Sequence, residues 1–139
     1  MVRVLFVALA LMFGAVPAFA RTVSIVVDIS DQSMAVSVDG DVQYRWDVST
    51  GKRGYHTPTG NYEPIRMARR YYSKKYDNAP MPYSIFFHGG YAIHGTTHLR
   101  ALGTPASHGC VRLDPENAAV LYELVREYGP DNTAIQIRS

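Results

Sequence analysis

The stretch SHGCVRL, residues 107–113, contains Cys110, the only cysteine among 139 residues. A lone thiol can form no intramolecular disulfide, and in an oxidising compartment it invites oxidation or mispairing. It persists there most readily when its reactivity is used. Only the thiolate is a strong nucleophile, and a cysteine with pKa near 8.5 is about 3% ionised at pH 7, so a working cysteine needs a base close by. His88, His94, His98 and His108 all fall within about twenty residues upstream of Cys110. His108 stands two positions before it, a spacing that would put both side chains on one face of a strand. His94 ends the apolar run YAIH (91–94) and meets Cys110 only if the two segments are neighbours in space. Proximity along the chain does not choose between them.

The compartment is read from the N-terminus. MVRVLFVALALMFGAVPAFA (1–20) has a basic start at Arg3, an apolar run from Val4 to Phe13, breakers at Gly14 and Pro17, and an Ala-Phe-Ala end. This is the pattern of a secretory signal peptide, with cleavage expected after Ala20. The apolar run is shorter than the roughly 20 residues that span a bilayer. No other stretch is apolar enough, so no membrane span is expected after processing, and no cysteine at the cleavage point offers a lipid anchor. The expected location is the periplasm or cell-wall space. What remains is one domain, residues 21–139, with room for a core but none for a separate binding module. This suggests a stand-alone unit. The net charge of +2 points to no particular partner. RMARRYYSKKY (66–76) concentrates basic and aromatic residues, a composition that suits nucleic acid. An exported protein seldom meets nucleic acid, so a solvated strand face or a lid over a groove is the better expectation.

The first half of the mature chain predicts β-structure. TVSIVVDIS (22–30) and MAVSV (34–38) are rich in β-branched residues, and VQYRWDVS (42–49) alternates apolar and polar positions. Asp39-Gly40 is a two-residue hairpin signal. TGKRGYHTPTG (50–60) is a loop, and further strands are expected in NYEPIRMARRYY (61–72), YSIFFHGG (83–90) and YAIHGT (91–96). One helix is predicted. Asp114 suits its N-cap, Pro115 its first position, and Glu116 its electropositive end. Ala118, Leu121, Tyr122, Val125 and Tyr128 follow the 3.6-residue period until Gly129-Pro130 stops it. TAIQI (133–137) reads as a last strand. The expected architecture is mainly β, an antiparallel sandwich-like fold with one helix late in the chain.

AIHGT (92–96) followed by SHGCVRL resembles the signature of the L,D-transpeptidase catalytic domain, the YkuD-type fold of bacterial cell-wall enzymes. Twelve residues, 95–106, separate His94 from Ser107, which also fits that pattern. TGKRGYHTPTGNY (50–62) and MPYSIFFHGGYAIHG (81–95) resemble two further family elements, so the likeness runs from about Thr50 to Leu113. The resemblance implies that Cys110 is the nucleophile and His94 the proton acceptor and later donor, its ring oriented by a carbonyl at or next to Gly95. Backbone N–H groups around Gly109 and Cys110 would hold the oxyanion. It further implies attack on the bond before the terminal D-alanine of a peptidoglycan stem peptide, with transfer to an amine. A second stem peptide gives a 3–3 cross-link and an outer-membrane lipoprotein gives a tether, while water gives a carboxypeptidase or endopeptidase. The donor chemistry is the same in each case.

The other residues carry plainer expectations. His108 lines the site. Arg112 either holds a substrate carboxylate or carbonyl with its planar fork or pairs with Asp114, and Ser107 fixes the local turn. Tyr91, Tyr83 and Phe86 are core or groove-wall aromatics, with Tyr91 placed toward substrate. His56, His88 and His98 are expected on loops or the surface. No cofactor is implied, because base, nucleophile and oxyanion donors are all protein groups. Two rivals come from other classes. A zinc site built from His94, His98, His108 and Cys110 is chemically reasonable, but Gly95 after His94 speaks against a helical ligand pair. A silent wall-binding module would not need an intact His94–Cys110 pair.

Overall fold

The computed structural model describes residues 22–139; the export segment expected over residues 1–20 lies outside the described residues. β1 (Val23–Asp28), β2 (Ser33–Val38) and β3 (Asp41–Asp47) form an antiparallel meander. Its second turn is Asp39-Gly40, where both residues have positive φ, 50° and 87°, as a tight hairpin loop requires. On the other side of β1 lies β9 (Thr133–Arg138), and on β9 lies β4 (Gly60–Tyr62), giving the order β3-β2-β1-β9-β4. A second sheet has the order β5-β6-β7-β8, from β5 (Arg66–Ala68), β6 (Ser84–His88), β7 (Tyr91–Gly95) and β8 (Val111–Leu113).

The mainly β architecture with a late helix agrees with the sequence. The sheets, however, are mixed rather than purely antiparallel: β1 pairs with β9 in parallel, and β7 pairs with β8 in parallel. Parallel neighbours need a long crossover, because a tight turn cannot bring the chain back in the same direction. Residues 96–110 make that crossover between β7 and β8. α1 (Pro115–Tyr128) then carries the chain back to the first sheet.

α1 begins as expected. Asp114 Oδ1 accepts a hydrogen bond from the Glu116 N–H at 2.8 Å, and Gly129 closes the helix at φ 97°. Ala118, Leu121, Tyr122 and Val125 form its buried face, which packs against β7, β6 and β1. Alternate residues of both sheets complete the core: Val23, Ile25, Val27, Ile135 and Ile137 from the first, Ile85, Phe87, Ile93, Val111 and Leu113 from the second. Phe86 faces the opposite way. With Met81 and Ala92 it forms a small satellite cluster on which Tyr71 and Cys110 rest. The second sheet therefore has core on one face and the floor of a groove on the other.

The strand expected through residue 72 stops at Ala68. Beyond it, residues 71–81 leave the sheet as a flap closed at its base by the Met81 N–H to Tyr71 O bond (2.8 Å) and the Ser73 N–H to Ala79 O bond (2.9 Å). Asp77 and Asn78 turn its tip at φ 48° and 55°, a conformation Asp and Asn accept more readily than other side-chain-bearing residues.

Candidate active site

The parallel register of β7 and β8 sets the site. Ile93 lies opposite Val111, His94 opposite Arg112, and Gly95 opposite Leu113. Ile93, Val111 and Leu113 enter the core. Paired residues share a face and alternate along a strand, so His94 and Arg112 emerge on the groove side, with Cys110 two positions before Arg112. All three line a groove of about 820 Å³, together with Tyr91, His108 and residues of the flap. Of the four histidines within about twenty residues upstream of the cysteine, the fold thus places His94 diagonally across from it on the neighbouring strand.

His94 is 5% exposed, and its Nδ1 lies 2.7 Å from Gly95 O. A carbonyl can only accept, so Nδ1 carries the hydrogen and Nε2 keeps its lone pair. Burial chiefly, and the nearby Arg112 charge in addition, push the imidazole down to about 4, against an opposing contribution from the Gly95 carbonyl. Burial pushes the Cys110 thiol up, while the Ala92 backbone and the Arg112 guanidinium pull it partly back. The resting pair is therefore a neutral thiol and a neutral imidazole at physiological pH. Gly95 is tightly packed. A Cβ there would stand 3.1 Å from both Pro115 Cα and Pro82 Cγ.

Residues 107–110 are not strand, so the shared strand face expected for His108 and Cys110 does not exist. Gly109 has φ 119°, a region other residues rarely enter, and a Cβ on it would lie 2.5 Å from Tyr91 Cε1. Tyr91 thus covers the turn that presents the thiol. Ser107 holds that turn from within, its hydroxyl donating to Cys110 O at 2.6 Å and accepting from the Gly109 N–H at 3.0 Å. The Gly109 amide, expected as an oxyanion donor, is committed to that hydroxyl.

A second brace was not anticipated. Thr57, buried, accepts from the Gly51 N–H at 2.9 Å and donates to Gly109 O at 2.8 Å. The Ser107 N–H bonds Thr50 O, and the Lys52 N–H bonds Ser107 O. Thr50 is itself fixed by both amide atoms of buried Gln32. Gly51 is obligatory, since a Cβ would fall 1.5 Å from Tyr55 O. The only sequence signal was the TPTG run, which reads locally as a turn; nothing local marks Gln32.

His108 does line the groove, with Tyr76 of the flap stacked on its face (4.1 Å, 8°) and Tyr55 at its edge (4.8 Å). Arg112 is half-buried on the groove face; Asp114 spends Oδ1 on the helix cap. Phe86 and Tyr91 are groove-wall aromatics and Tyr83 packs against the core. His56 and His88 are exposed, and His98 is exposed but borders the groove. The basic aromatic segment supplies the flap in its second half, Tyr71 to Tyr76. Among the described residues no three His, Cys, Asp or Glu side chains are gathered into a metal-binding group, and no helix is long and apolar enough to cross a membrane.

Comparison with known proteins agrees with this architecture. The Bacillus subtilis (strain 168) protein YkuD is 26% identical over 117 residues, covering 81% of this chain and 64% of that one. The solved L,D-transpeptidase of Stackebrandtia nassauensis is 31% identical with a TM-score of 0.72, over 84% of this chain and 55% of that one. L,D-transpeptidase 3 of Mycobacterium tuberculosis, solved with a faropenem-derived adduct, shares the fold at 22% identity and TM-score 0.74, over 86% of this chain and 61% of that one. The chain thus spans less than two thirds of each of these proteins. The family model of the YkuD-type L,D-transpeptidase catalytic domain matches residues 22–137, nearly everything the structure describes, and the chain belongs to that family.

Proposed function

We propose that the protein is an exported cysteine acyl-transferase that acts on peptidoglycan stem peptides. The observation that carries this reading is the placement of Cys110 and His94 on one groove face, with Nδ1 of His94 tied to Gly95 O. His94 Nε2 takes the thiol proton as the sulfur attacks the carbonyl carbon of the diamino acid at stem position three. The carbonyl oxygen becomes an oxyanion, and the Cys110 amide is the loop donor assigned to it, since Gly109 N–H serves Ser107. The intermediate collapses, the bond to D-alanine breaks, and His94 returns the proton to the leaving amine. A thioester remains on Cys110. An incoming amine then attacks it, His94 accepts that amine's proton, and the thiol is restored. An amine acceptor gives a 3–3 cross-link or a lipoprotein tether, and water gives a shortened stem.

The test is mass spectrometry of muropeptides released from purified sacculi after incubation with the protein. New 3–3 linked dimers, with free D-alanine, are the expected products. Release of D-alanine without a new cross-link assigns water as acceptor. Muropeptides unchanged by folded protein would overturn the proposal.

A further inference from the structure

Two tyrosine rings, each with a lysine ammonium over it, are gathered around His108 of the groove lining. Tyr76 and Tyr55 flank His108, one on its face and one at its edge. Lys52 Nζ sits 5.4 Å from the centre of the Tyr55 ring, and Lys75 Nζ 5.4 Å from that of Tyr76. Arg112, on β8, lines the groove together with Lys75, Tyr76 and His108. Burial opposes protonation of His108, and the charges of Lys52, Arg112 and Lys75 add to it. The cations come from three separate elements: the loop after β3, the flap, and β8. Lys74 also lines the groove, and Asp77 is the one carboxylate among the described residues that do. The lining is therefore positive. An aromatic face steadies an ammonium group by its quadrupole and leaves N–H donors free for a ligand.

We propose that Lys52, Lys75 and Arg112 form an anion subsite beside Cys110 that takes a free carboxylate of the stem peptide, so that donors with free carboxylates are preferred over amidated ones. This deepens the cell-wall reading and rests on it. A carboxylate matches the Arg112 fork with two parallel hydrogen bonds. A carboxamide offers one acceptor oxygen and turns an NH2 group toward three cations. Three stem carboxylates have the right chemistry: that of the acidic residue before the diamino acid, the second carboxylate of the diamino acid, and that of the terminal D-alanine.

Calorimetric binding to the Cys110→Ala protein separates this claim from turnover. The ligands are four synthetic tetrapeptides, one with all three carboxylates free and one amidated at each position. The fully free peptide should bind about tenfold more tightly than the one amidated at the subsite carboxylate. The sensitive position identifies which carboxylate it is. The gap should narrow to roughly threefold in Lys52→Gln/Lys75→Gln and shrink with added salt. Equal affinity for all four peptides, or a gap that neither the double substitution nor salt reduces, overturns the subsite. D-Alanine release by the unmodified protein is followed separately. Its absence with every peptide counts against the transferase reading, while the affinity pattern still decides the subsite.

Discussion

Cys110 rests on the apolar floor made by Phe86, Met81 and Ala92, and this contact explains why its thiol is held protonated rather than poised as thiolate. In the proposed mechanism the chemistry then depends on His94 taking the proton during attack, which makes the two residues one unit. Cys110→Ala should abolish transfer, His94→Ala should lose nearly as much, and the double mutant should be no worse than either. His108→Ala should lose clearly less, because His108 is held between tyrosines at the groove mouth. More than a few per cent of activity in Cys110→Ala, or a larger loss from His108→Ala than from His94→Ala, would reverse these assignments. Burial of His94 also makes a stability statement. Its folded pKa, about 4, lies below the ordinary 6.5, so between those values the unfolded chain binds the proton and the folded one does not. Stability should fall as pH drops from 6.5 to 4. His94→Gln should make that acid limb shallower in thermal midpoints measured across the range, and an unchanged limb would contradict a neutral buried imidazole.

Between residues and the whole lie the elements that hold the thiol in place. Thr57 is a spacer between two backbones, joining Gly51 of one loop to Gly109 of the other with a single hydroxyl. Thr57→Val keeps the shape and leaves a buried N–H and a C=O without that partner, at a cost of ~2 kcal/mol. Its effect on kcat should exceed its effect on KM, because the displaced carbonyl belongs to Gly109, the residue before Cys110. Thr57→Ser should restore most of the rate, and Thr59→Val, on an exposed neighbour, should change little. A Thr57→Val enzyme with normal kcat would show that the brace is dispensable. Much at this scale was legible in the chain. β-Branched residues marked β1, alternation marked β3, the Asp39-Gly40 pair marked a hairpin, and Asp114-Pro115 with Gly129 bounded α1, since each signal acts within a few residues. Partner choice was not legible, because nothing inside Val23–Asp28 says that Thr133–Arg138 will lie beside it in parallel. The same limit applied to the site. Spacing did not choose between His94 and His108; the β7–β8 register is what puts His94 on the groove face beside Cys110, the pair that the likeness to the family implies.

At the scale of the whole molecule, one sheet and its helix bury the back of β7 and β8 so that their other face can be an open groove, walled by a flap tied at its base. If the groove admits an extended stem peptide to a neutral Cys–His pair, as proposed, it should also admit a strained β-lactam. The sulfur attacks the lactam carbonyl, the C–N bond opens, and the ring nitrogen takes the proton that His94 removed from the thiol. The resulting thioester persists if the opened ring blocks the approach of amine or water. A carbapenem should therefore add its full mass once per chain, at Cys110. Formation should be slowed in His94→Ala and absent in Cys110→Ala. The rate should fall as pH drops through about 4, where His94 becomes protonated, and level off above it once the imidazole is neutral. Intact-protein mass spectrometry across a pH series, with peptide mapping of the adduct, reads all of these at once. An unmodified mass at every pH, in protein shown to be folded, would mean that the groove does not present Cys110 to an acyl carbon.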